Sequence, residues 1–154
     1  MAMTGRLTVL FVCADNSGVS LAAEAVALHF HPRLRPFSAA ALAPGRVDPA
    51  LLASLTAAHI PADGLSAKPV GVFSLSGAPR LDAVVALGAD AGRALRRQAF
   101  IGLLRFETWQ LPDVPWGTEE KVRRAAYGRL LPDIGAAIAR LEERITGRLS
   151  GAAA

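Results

Sequence analysis

At 154 residues, with 52% hydrophobic and 19% charged side chains, the chain is long enough for one packed core and too apolar for disorder. Its formal charge of +4 comes from arginine far more than lysine. The basic residues are scattered or paired (Arg96-Arg97, Arg123-Arg124) without interleaved aromatics, so they read as a solvated surface and no nucleic-acid partner is expected. A single cysteine excludes an internal disulfide framework, a cysteine zinc site and an intramolecular thiol relay, and fits a reducing, cytoplasmic compartment.

Val9 to Val12 is a short apolar, β-branched run that reads as a buried strand, and Ser20 to Phe30 is Ala- and Leu-rich and reads as a helix. The polar loop between them opens with the only cysteine, Cys13. Too few residues precede Cys13 for a signal peptide, and no stretch approaches the ~18 apolar residues of a membrane span. His31-Pro32-Arg33 breaks the helix, and Leu34 to Ser38 offers a second strand. Asp48-Pro49 is a helix start, with Asp at the N-cap and Pro at the first helical position. Leu51, Leu52, Leu55 and His59 follow at helical spacing, and Ile60 to Leu65 ends that segment. Leu81 to Leu87 reads as the third strand, Asp90 as the cap of a short helix through Arg97, and Ile101 to Phe106 as the fourth strand. Thr118-Glu119-Glu120 caps a final helical region. A break is expected at Pro132, with Ile134, Ile138, Leu141 and Ile145 on one face of the helix beyond it. Residues 1–149 read as one domain, and residues 150–154 as a frayed tail. Strands alternating with helices call for an α/β three-layer sandwich, a parallel sheet with helices on both faces.

A strand, a small-residue loop and a helix in that order make an anion cradle, because loop N–H groups and the helix N-terminus both favour negative charge. The loop itself, Cys13-Ala14-Asp15-Asn16-Ser17-Gly18-Val19-Ser20 followed by Ala23-Glu24, resembles the phosphate loop of the low-molecular-weight protein tyrosine phosphatases and their arsenate-reductase relatives. Ser38 to Pro49, Ser66-Ala67-Lys68-Pro69 and Trp109-Gln110-Leu111-Pro112-Asp113 resemble further stretches of that family, the last two leaning to the reductase branch. The resemblance covers roughly Leu7 to Ile145. It implies a four-stranded sheet in the order 2-1-3-4, with the loop at the strand C-termini.

The resemblance also assigns roles. Cys13 would be the nucleophile, Ser20 the donor to its thiolate, Asn16 the brace of the loop and Asp113 the general acid, although the family's Asp-Pro is here Asp113-Val114-Pro115. Ala14, Asp15, Asn16, Ser17, Gly18 and Val19 would form the anion-binding loop around a phosphate or arsenate-like oxyanion. The family's arginine is replaced by Val19, which removes a charged, bidentate oxyanion clamp. Asp15 stands where the family usually has glycine and adds a carboxylate that repels a phosphate dianion. Lys68 or one of the scattered arginines is the candidate replacement cation. Gly88 stands where the reductases commonly carry a cysteine. His29 and His31 lack the spacing of a helical metal pair and His59 is isolated, so no metal site or cofactor is expected. Trp109 reads as a core residue. Two readings follow: a degenerate family member, catalytically weak or inactive, acting by binding an oxyanion or a protein partner the sequence does not identify; or an active cysteine-dependent phosphatase or single-cysteine arsenate reductase that borrows an external thiol.

Overall fold

The apolar run lies in strand β1 (Leu7–Cys13), and its alternating side chains feed two separate cores. Val9 and Phe11 face helices α1 (Val19–Phe30), α2 (Pro49–Ala57) and α4 (Glu120–Ala153). Leu10 and Val12 face the other side, against helix α3 (Ala89–Leu95) and a short 3-10 turn at Val70–Ser74. A strand covered on both faces has no solvent side to make polar, which is why Val9 to Val12 shows no alternation. The structure, a computed structural model, describes residues 5–98, 105–112 and 114–153.

Strand β1 pairs in parallel with β2 (Leu34–Ala40) and β3 (Ala83–Leu87), and β3 with β4 (Arg105–Trp109), giving the four-stranded order β2-β1-β3-β4. This is the expected α/β sandwich. Pro36 sits in β2 opposite Val9 and is tolerated because β2 is an edge strand. Ser20, Leu21, Ala22, Ala23, Ala25, Val26 and Ala27 of α1 are all buried, because the helix packs on β1 and β2 on one side and α4 on another. Alanine at so many positions lets both neighbours approach closely. No described helix is long and apolar enough to cross a membrane.

Several boundaries differ from the sequence reading. Helix α2 stops at Ala57, and His59 lies beyond it at φ 59°, off the helical stripe. Strand β3 starts at Ala83 because Asp82 is taken by a reciprocal pair with Thr8: the Thr8 N–H donates to its carboxylate and its own N–H donates to the Thr8 carbonyl, both at 2.8 Å. Gly88, at φ 109°, is the N-cap of α3, while Asp90 lies inside the first turn paired with Arg93. Among the described residues the fourth strand runs over Arg105–Trp109, ending beyond the expected Phe106; residues 101–104 lie outside the described residues. Its polar members hid it from an apolar pattern. Glu107 accepts from Arg105, from the Trp109 indole and from Arg144 of α4, and this network makes a charged edge strand tolerable.

The largest difference is at Pro132. The expected break is absent, and α4 runs through Pro132 from Glu120 to Ala153. Proline inside a helix costs ~3 kcal/mol through a lost hydrogen bond and a clash with the carbonyl four residues back. Against that, Tyr127, Leu130 and Leu131 before Pro132 and Ile134, Ile138 and Leu141 after it are buried in the same core. Each such side chain is worth about 1.5–3 kcal/mol, and kinking the helix would lift one group or the other from the core. Burial on both sides outweighs the local penalty. Because Pro132 is exposed, Pro132→Ala should restore the hydrogen bond at no cost to the core. We expect a gain of about 1–3 kcal/mol in urea unfolding; a lowered midpoint would show that the ring's own contacts matter more.

Candidate active site

Cys13 is the last residue of β1, and residues 14–18 cross to α1, which starts at Val19. The loop is shaped by its carbonyls. Those of Cys13, Ala14, Asp15 and Ser17 accept, at 2.8–2.9 Å, the N–H groups of Ala41, Leu42, Gly45 and Asp48 in the segment after β2. A trans peptide holds its N–H opposite its C=O. The N–H groups of Ala14, Asp15, Asn16 and Gly18 are therefore turned away from that segment, and none bonds another protein group among the described residues. That is the arrangement an anion cradle needs.

Asn16 is the buried hinge of the loop. Its φ of 55° is left-handed, which asparagine tolerates better than most residues. Its side chain accepts the Lys68 N–H at 3.0 Å and donates to Ser20 Oγ at 2.8 Å. Ser20 Oγ lies 2.9 Å from Cys13 Sγ. An oxygen already accepting from Asn16 has its own proton free for the sulfur, so the chain Lys68–Asn16–Ser20 ends in a donor beside Cys13 Sγ.

The loop is held from beneath by Asp48. This residue is 1% exposed, caps α2 by accepting the Ala50 N–H at 2.9 Å, and takes both Nε (2.8 Å) and Nη2 (3.0 Å) of Arg123 and the Tyr127 hydroxyl (3.2 Å). Its N–H holds the Ser17 carbonyl at 2.9 Å. Burial alone would raise the Asp48 carboxyl, but the Arg123 and Ala50 hydrogen bonds, the Arg123 charge and the Tyr127 hydroxyl together hold it below the usual aspartate range. Burial, and then the adjacent Asp48 charge, push the Tyr127 hydroxyl far above its ordinary range, so it remains a donor. A Cβ added at Gly18 would lie 2.0 Å from the Tyr127 oxygen. Glycine is needed there for space.

Over the loop lies a cleft of about 220 Å³ lined by Cys13, Asp15, Val19, Leu111, Val114 and Trp116, among others. Asp15 Oδ1 accepts from the Ser17 N–H (3.1 Å) and hydroxyl (2.8 Å), so the carboxylate is folded onto the loop and takes one of its amides. The Trp116 indole donates to Ser17 Oγ at 3.2 Å. Val19 is half-buried and packs on the core. Among the described residues no lysine, arginine or histidine lines the cleft. Lys68 is spent elsewhere: its ammonium donates to the Ser38 (3.0 Å) and Ser66 (2.7 Å) carbonyls, and burial lowers its pKa with partial relief from Glu24. Arg123 is bound to Asp48, and Arg46 rests 5.3 Å from the centre of the Trp116 ring.

A family model described as low molecular weight phosphotyrosine protein phosphatase matches residues 8–143. The chain belongs to that family. Solved structures similar to this phosphatase-family chain include one described as an arsenate reductase in the phosphate binding state, 28% identical, covering 87% of this chain and 98% of that one with a TM-score of 0.63. Two others share the fold at lower identity. A low molecular weight protein tyrosine phosphatase from T. tengcongensis is 24% identical, with 87% and 99% coverage and a TM-score of 0.68. Vibrio vulnificus Wzb in complex with benzylphosphonate is 16% identical, with 88% and 99% coverage and a TM-score of 0.70. Comparison with curated proteins returned no match.

The structure of this family member brings the side chains of Cys13, Asn16 and Ser20 together; Ala14, Asp15, Ser17, Gly18 and Val19 line the cleft, while Asn16 is fully buried and does not. Asp113, read as the acid, lies outside the described residues; Leu111, Pro112, Val114 and Pro115 on either side of it line the cleft. Trp109 packs on Phe11 with ring centroids 6.0 Å apart, in agreement with its reading as core. Trp116, Tyr127 and the Asp48–Arg123 pair went unnoticed as site residues. The one available signal was Arg123 and Tyr127, four apart on a helix and so on one face.

Two outcomes follow from this geometry. The Asp48 carboxyl titrates lower in the folded chain than the ~3.9 of an unfolded one, so its contribution is complete above that value and lost as pH falls through the folded-state value. Asp48→Asn should therefore be less stable at neutral pH, and its urea midpoint should fall less steeply than the natural protein's below about pH 4. Gly18→Ala should cost about 1–3 kcal/mol through overpacking. Adding Tyr127→Phe, which removes the nearest atom, should recover part of that in thermal unfolding.

Proposed function

We propose that the chain is a catalytically weak or silent member of its family that retains an oxyanion-binding loop at Cys13 to Ser20. The carrying observation is Val19 beside a cleft that no basic residue lines among the described residues. Removing one oxyanion donor typically costs on the order of a hundredfold to a thousandfold in rate, and a charged bidentate donor costs at least as much. Asp15 adds to the loss by occupying the Ser17 amide. Binding is supported by the outward-turned carbonyls, by the free N–H groups and by neighbours described as holding phosphate or benzylphosphonate. The lone cysteine makes a reducing, cytoplasmic location part of the proposal.

One observation favours a second reading. The Asn16–Ser20–Cys13 chain is intact, as an active cysteine-dependent phosphatase, or a single-cysteine arsenate reductase using an external thiol, would require. In either, Cys13 would attack and Asp113 would protonate the leaving group.

Hydrolysis of p-nitrophenyl phosphate from about pH 5 to about pH 8 separates the two. The natural protein should turn over at least about a hundredfold more slowly than Val19→Arg, and Cys13→Ser should abolish what Val19→Arg gains. Natural turnover close to that of Val19→Arg, abolished by Cys13→Ser, would overturn the silent reading. Arsenate reduction with a small thiol, dependent on Cys13, would establish the reductase form of the second.

A further inference from the structure

The groups that shape the loop are neutral, and this sets the charge of what it can hold. Its N–H groups and the N-terminus of α1 present partial positive charge, enough to favour one negative charge nearby. Among the described residues nothing in the cleft lining matches a second one. Three cations of the surrounding segments are engaged elsewhere: Arg123 with the Asp48 carboxylate, Lys68 with two carbonyls, Arg46 with the Trp116 ring. Among the described residues the titratable groups in the lining are Cys13, Asp15 and Tyr127, and burial keeps the last neutral. The Asp15 carboxylate, folded onto the loop, opposes a dianion more than a single charge. The walls, Val19, Leu87, Leu111, Pro112, Val114 and Pro115, are apolar, so a second charge would be desolvated without compensation.

We infer that the cleft selects a singly charged tetrahedral oxyacid group carried on a small apolar moiety, and discriminates against the dianionic phosphate monoester its family's name implies. This rests on the proposed reading that the loop still takes an oxyanion. The cleft volume of about 220 Å³ is small and suits a compact ligand, one ring with an oxyacid head. A sulfonate or sulfate ester and a phosphodiester both present the required single charge, and the head group itself tells them apart.

The test uses two ligands of nearly the same shape that differ by one charge, phenylmethanesulfonate and benzylphosphonate, at about pH 8.5, where the phosphonate is largely dianionic. Dissociation constants are read by calorimetry on the full chain and on Val19→Arg. The natural protein should bind the sulfonate at least about tenfold more tightly, and Val19→Arg should reverse the order. Monomethyl benzylphosphonate, singly charged, should bind within reach of the sulfonate; the tighter of the two names the head group. Should Val19→Arg fail to fold, Asp15→Asn should shift preference towards benzylphosphonate. Tighter binding of benzylphosphonate by the natural protein would overturn the inference while leaving the oxyanion site standing. An unchanged order in both variants would also overturn it. Binding of none of the three by the natural protein, with Val19→Arg binding benzylphosphonate, would overturn the proposed oxyanion site itself.

Discussion

The Asp48 carboxylate is the interaction on which the site depends. Buried ion pairs stabilise a fold only when their remaining lone pairs and protons are also satisfied. Here the Ala50 amide, two Arg123 nitrogens and the Tyr127 hydroxyl all converge on one carboxylate. The same residue's N–H holds the Ser17 carbonyl. One side chain thus joins the start of α2, the first turns of α4 and the loop after β1. Loop position is in this way a property of the tertiary structure, since none of these segments is close to another in sequence.

Shape and charge are set by different residues. Shape comes from the segment after β2, which takes the loop carbonyls, from Asn16 in its left-handed conformation, and from Tyr127 closing on Gly18. Charge comes from Val19, which supplies none, and from Asp15, which supplies the wrong sign for an anion. Lys68 shows how strict the division is. Its backbone N–H helps to fix Asn16, yet its ammonium is turned to the carbonyls of Ser38 and Ser66 and never reaches the cleft.

Local features were legible in the sequence and distant ones were not. The β1–loop–α1 unit and the Asp48-Pro49 helix start could be read because their determinants lie within a few residues of one another, while the Cys13–Asn16–Ser20 grouping came through resemblance to a family. The sheet order came through resemblance to a family, since strand pairing leaves no mark in a single apolar run. The end of strand β4 was read too early because Glu107 is made tolerable there by Arg144, 37 residues away in the chain. Pro132 misled because propensity is local while the burial that overrides it is shared along α4. Trp116 and Arg123 escaped notice for the same reason: each matters through a partner far away in sequence, Ser17 for one and Asp48 for the other.

The contact between Gly18 and Tyr127 has an evolutionary consequence. At position 18 a side chain of any size collides with a hydroxyl that is itself anchored to Asp48, so substitution there must be answered by a second change in α4. At position 19 the side chain borders the cleft, and the hydrogen bonds that shape the loop do not involve it. Adjacent codons therefore face different constraints: one is locked by the contact with Tyr127, the other is bounded only by its packing on the core and the border of the cleft. A lineage can change what position 19 presents to the cleft without touching the hydrogen bonds that hold the loop.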